Sequence, residues 1–172
     1  MIKKILVALD RSEAYQPILN EALSLAKATH SSLLLFHVLR PFDQGYPYPM
    51  YPSGDAYPAL YDEAIQQYTQ QLQELEQEGI LFLRSLSHQA MALDIPAEYT
   101  QSSGDPGKLI CEAAENWHAD TIIMGRRGRS GLQEVLLGSV SNYVLHHAPC
   151  SVMIIQGILS DSQALNEYLD VC

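Results

Sequence analysis

The chain has 172 residues, 47% of them hydrophobic, enough to bury a full core in one domain without disulfides. Its 20 acidic and 10 basic side chains leave a net charge of -10, which argues against nucleic-acid binding, since that depends on many Lys and Arg neutralising phosphates. The apolar run after Lys3 and Lys4 is too short for a secretory signal and no later segment is long enough to span a bilayer, so a cytoplasmic protein with no membrane association is expected.

Short apolar runs alternate with longer amphipathic ones, the pattern of a parallel sheet covered by helices on both faces. The first strand is expected from Lys4 to Leu9, followed by a helix capped by Asp10 or Ser12 and carrying Ile18, Ala22, Leu25 and Ala26 on one face. The second strand runs from Ser32 to Leu39. Residues 41–58 then hold five prolines and four tyrosines, which suit neither helix nor central strand. This segment reads as a long loop leaving the carboxyl edge of the sheet, either a lid or partner-binding loop or a plain insertion. A Gln- and Glu-rich helix from about Tyr57 is expected to close on Gly79.

A third strand, the least hydrophobic, is expected from Ile95 to Thr100, and Asp105-Pro106 is a capping residue followed by a proline in the first helical turn. The fourth strand spans Thr121 to Gly125, a helix Ser139 to His146, and the last strand Ser151 to Gln156. Right-handed crossovers make this one open layer of five parallel strands, an α/β fold. The tail, 157–172, has the pattern of a short amphipathic helix after a domain spanning 1–156. Cys111, Cys150 and Cys172 are odd in number and widely spaced, as reduced thiols are.

The chemistry is concentrated behind the fourth strand, in Gly125-Arg126-Arg127-Gly128-Arg129-Ser130-Gly131 and Gly138-Ser139-Val140-Ser141. Gly125 and Gly128 leave backbone N–H groups unobstructed, and Gly138 opens a helix whose first N–H groups have no internal partner. Three of the ten basic residues, Arg126, Arg127 and Arg129, fall here, where they either steer phosphates or form a solvated loop. The cluster reads as a phosphate cradle. Gly104-Asp105-Pro106-Gly107-Lys108 lacks the spacing of a P-loop and is explained as a helix-opening turn. His146, His147 and Cys150 do not make a metal site, because adjacent histidines rarely point the same way.

These residues carry a resemblance. The first strand ending in Val7-Ala8-Leu9-Asp10 with Ser12, Phe36-His37-Val38, Ala119 to Gly125, the spacing Gly125-x2-Gly128-x9-Gly138-Ser139, and His147-Ala148-Pro149-Cys150-Ser151-Val152 are similar to the universal stress protein family over residues 1–156. The resemblance implies the strand order 3-2-1-4-5 of a Rossmann-like fold, with a crevice between the first and fourth strands. It implies the adenine-nucleotide-binding branch, taking ATP or AMP. Asp10 would meet the ribose or hold a Mg²⁺ through water, the backbone of Val38 the adenine edge, and Leu9 and Met124 the apolar side of the base. Gly125, Arg127, Gly128, Gly138, Ser139, Val140 and Ser141 would hold the phosphates. Asp10 is also explained as a helix cap alone. A homodimer is implied as well; in that strand order the apolar last strand, Ser151 to Gln156, is an edge that either pairs with its own copy or is covered by the tail after Gly157, which would keep the chain monomeric. The expected role is nucleotide-dependent signalling to protein partners during stress. A slow ATPase or phosphotransfer enzyme, and a scaffold or chaperone with structural nucleotide, are the alternatives.

Overall fold

The structure, a computed structural model, describes residues 1–12, 15–40, 47, 58–126 and 137–156. Five parallel strands form one sheet: β1 (Lys4–Leu9), β2 (Ser32–Leu39), β3 (Ala97–Ser103), β4 (Thr121–Gly125) and β5 (Ser151–Ile155), in the order β3-β2-β1-β4-β5. Between them lie α1 (Tyr15–Thr29), α2 (Pro58–Met91), α3 (Pro106–Trp117) and α4 (Ser139–His147). The expected fold and strand order are therefore present. The Tyr- and Pro-rich segment before α2 and the tail after Gln156 lie outside the described residues, Pro47 excepted.

The alternation of the central strands decides which helices lie on which face. Ile5, Val7 and Leu9 of β1 join Leu33 and Leu35 of β2 under α1 and α2, which contribute Leu19, Ala22, Leu83 and Leu86. Leu6, Leu34, Phe36 and Ile122 point the other way, under Ile110 and Ala114 of α3 and Val144 of α4. Ile5, Leu6 and Val7 are each 0% exposed, so β1 is closed on both faces. Its amino end is held by Asp120, whose carboxylate accepts from the N–H groups of Lys3 at 2.7 Å and Lys4 at 3.0 Å. Those two bonds draw the carboxyl of Asp120 below its ordinary pKa. Among the described residues no helix is long and apolar enough to cross a membrane.

The helix before β3 departs most from its expected form. It does not close at Gly79 but continues to Met91, because Leu83, Leu86 and Ala90 carry its buried stripe on against the sheet. Helices end instead at residues that are not glycine, with His30, Asp94 and His118 in the left-handed region at φ 52°, 59° and 55°. Ile95 and Pro96 remain outside β3, which begins at Ala97 and reaches Ser103; Ile95 is nevertheless buried in the core. β5 stops one residue short of Gln156, and α4 runs one residue beyond His146. Asp105 caps α3 as expected, accepting from Gly107 N at 3.0 Å and Lys108 N at 3.4 Å, with Pro106 in the first turn.

Gly79 has a packing role. A side chain there would overlap the amide of Gln101 on β3, whose Nε2 donates to the Glu76 carbonyl at 3.2 Å and whose buried Oε1 occupies the space a Cβ would fill. In an open helix Gly79→Ala would stabilise by about 1 kcal/mol through helix propensity. Here the gain is expected to be largely cancelled, because the displaced amide loses its bond, worth about 1 kcal/mol. In a Gln101→Ala background the full gain should return. Denaturant unfolding of the four proteins checks this, and equal effects in both backgrounds would remove Gln101 from the explanation.

Candidate functional site

The chain leaves β1 toward β2 on one side of the sheet and returns from β3 across to β4 on the other. The carboxyl ends of β1 and β4 are therefore neighbours whose following segments diverge, opening a crevice between them. Ala8 is in register with Met124, which places Asp10 and Gly125 at the same rim.

On the β1 side, Asp10 Oδ1 accepts from Ser12 N at 3.2 Å and Ser12 Oγ at 2.5 Å. The carboxylate thus organises the turn that leads to α1, whose first residue, Tyr15, donates its N–H to the Ser12 carbonyl at 3.2 Å. The Leu9 carbonyl is 2.8 Å from Nδ1 of the buried His37, which fixes β1 to β2 at the rim, one residue before Val38.

On the β4 side, Arg126 follows the last residue of the strand. Its N–H donates to the Ile155 carbonyl at 3.0 Å, and its own carbonyl accepts from Gly138 N at 3.0 Å and Ser141 Oγ at 3.0 Å. Ser141 Oγ is also 3.0 Å from the Gly138 carbonyl, and the residue is 2% exposed. Ser141 is therefore a strut between the strand exit and the helix start. Ser139, two positions earlier, is exposed. Gly138 is the N-cap of α4 and supplies no side-chain cap, which leaves the first-turn N–H groups available to an outside acceptor. Its φ of −59° is open to any residue, so glycine matters here for the close approach it permits.

Asp10, Gly125, Gly138 and Ser139 are thus brought to one rim, with Val140 half-buried behind it against the α3/α4 side. Arg127 and Gly128 lie outside the described residues. The structure does not bring the side chains of Leu9 and Met124 together, since they sit on opposite faces of the sheet. The residue that shares a face with Met124 is Ala8, its register partner, with Val38 and Ile154 on the same side. Strand alternation, read strictly from Leu6, identifies it. The His37 bond to Leu9 had no comparable signal in the sequence.

Outside the rim, His147 Nδ1 contacts the Tyr143 carbonyl at 2.8 Å and its ring stacks on Tyr143 at 4.0 Å. Cys111 and Cys150 are free, and burial pushes both thiols up, away from the reactive thiolate. Among the described residues no three His, Cys, Asp or Glu side chains converge as metal ligands.

Fold and rim together define a doubly wound α/β protein with a crevice between the carboxyl ends of β1 and β4, beside the amino terminus of α4. Residues 1–156 match the universal stress protein family, and the chain belongs to it. The universal stress protein Sll1388 of Synechocystis is 40% identical over 157 residues, covering 89% of this chain and 97% of that protein. Among solved structures, the hypothetical protein MJ0577 superimposes with a TM-score of 0.71 at 22% identity, over 91% of this chain and 96% of its own. A universal stress protein in complex with cAMP gives 0.57 at 20%, over 91% and 98%. A family member from Arabidopsis thaliana with AMP bound gives 0.58 at 19%, over 92% and 94%.

The two serines of α4 should separate in an unfolding experiment. Ser141→Ala is expected to lower stability by about 1 kcal/mol, since both carbonyls keep an N–H partner and only the hydroxyl bond is lost. Ser139→Ala, at an exposed position, should stay within about 0.5 kcal/mol of wild type. Equal losses would contradict the strut.

Proposed function

We propose that this protein binds an adenine nucleotide, ATP or AMP, at the β1/β4 rim and acts as a nucleotide-dependent regulatory protein of the stress response. The observation that carries this reading is the uncapped start of α4, held against the exit of β4 by two bonds to the Arg126 carbonyl, at the same end of the sheet as the Asp10 turn. The N–H groups there and Ser139 suit phosphate oxygens, as do Arg127 and Gly128 in the sequence between β4 and α4. Asp10 suits the ribose hydroxyls, and the backbone of Val38 the adenine edge. Ala8 and Met124 form the apolar wall. Ser141 supports the cradle from behind. A Mg²⁺ accompanying ATP would take its ligands mainly from phosphate and water, with Asp10 reaching it through water. The AMP and cAMP complexes of proteins with this fold support the choice of adenine nucleotide.

The test begins with native purified protein, denatured so that any copurifying nucleotide can be identified by chromatography. Titration calorimetry with AMP and ATP should then show that Gly128→Val abolishes binding. Ser139→Ala should weaken it by about 1.5–3 kcal/mol, the worth of a hydrogen bond to a charged group. Unchanged affinity in Gly128→Val would overturn the assignment.

A homodimer through β5 belongs to the same reading. β5 is a sheet edge, with Met153 38% exposed on it, and a two-fold axis beside it would pair the edge with its own copy. Light scattering should give a dimer for the wild type. Met153→Lys, which would place two like charges near the axis, should give a monomer; a monomeric wild type would rule the interface out.

A further inference from the structure

The apolar seam of α2 continues after the sheet has ended. Toward its carboxyl end the helix packs Gly79, Phe82 and Leu86 inward. Toward its amino end the same steps of three and four continue through Leu75, Leu72, Tyr68 and Ile65, the a and d positions of a heptad. Gly79 lies on Gln101, and β3 ends two residues later at Ser103, after about 7 Å of strand. The helix before Gly79 begins at Pro58 and extends about 30 Å. Most of that length overhangs the carboxyl rim. Ile65 is 57% exposed, and Tyr68, Leu72 and Leu75 are half-buried. Pro47 lines a groove beside this stretch with Gln71, Glu74, Leu75 and Glu78.

Charge selects the occupant. The positions flanking a and d on the overhang are Asp62, Ala64, Thr69, Gln71, Glu76 and Glu78, so every charged one is acidic. No Lys or Arg occurs between Pro58 and Leu83. Arg11 pairs with Glu78 at 2.8 Å, which leaves Asp62 and Glu76 to face outward. In either orientation a second copy would set acidic flanks against acidic or neutral ones, in a protein already at net charge -10. A partner with basic flanks would match them.

We propose that the overhanging half of α2 is a docking surface for an amphipathic helix of a partner protein, its apolar seam flanked by Lys and Arg. The proposal is independent of nucleotide binding. The test uses the full chain and fluorescent peptides of about three heptads. One carries Leu and Ile at the seam with Lys at the flanks, a second the same seam with Glu at the flanks, and a third the Lys peptide with its seam scrambled. The first alone should bind in anisotropy titrations. Ile65→Asp, at an exposed position, should weaken it at least about tenfold, and the double variant Asp62→Lys, Glu76→Lys should shift preference to the Glu peptide. No binding, equal binding of the scrambled peptide, or indifference to Ile65→Asp would overturn the proposal. Dissociation of a dimer by Ile65→Asp would assign the seam to a second copy, and binding seen only after deletion of residues 41–57 would assign it to that segment; either result also overturns it.

Discussion

Strand β1 has no solvent on either face and a neighbour on each side, so its four boundaries must be supplied together. Ile5 and Val7 require α1 and α2, Leu6 requires α3 and α4, and its backbone requires both β2 and β4. A chain that connects parallel strands by right-handed crossovers meets this demand only by building outward from β1 in both directions. The split at the carboxyl ends of β1 and β4 is then unavoidable. The crevice is a geometric by-product of burying one central strand, and the glycines and serines behind β4 furnish a place that the core had already created.

The same logic explains what could be read from the residues alone. β1, β2 and β4 are short apolar runs buried on both faces, and their ends were legible to the residue. β3 was displaced because it is a half-exposed edge, and Ile95, the strongest apolar signal there, serves the core from the connection before it. Gly79 was misread as a stop because a glycine in a polar helix signals either an end or a close approach, and only the partner, Gln101, distinguishes them. The turns after α1, α2 and α3 use histidine or aspartate in a conformation that glycine would adopt more cheaply, so composition gave no warning there.

At the rim, the spacing from Gly125 to Ser139 made the segment a candidate, while the sides its residues take depended on direction. Ser139 and Ser141 are both hydroxyl residues in the first turn of α4, yet one faces solvent and the other is sealed between two carbonyls. Leu9 and Met124 are both apolar strand ends, yet the pleat sends them apart. Sequence spacing locates residues along the chain; sheet register and helix phase assign their sides, and those emerge only when the elements are assembled.

The bonds at the Arg126 carbonyl also bear on how this family member can change over evolutionary time. They pin both ends of the segment 127–137 to the body of the domain. Once the ends of a segment are fixed, the closure entropy grows only with the logarithm of its length, about 0.6 kcal/mol per doubling. A change in the number of residues between Arg126 and Gly138 thus reaches the rest of the domain only through this slowly growing closure cost, and length there can drift on a different clock from the core.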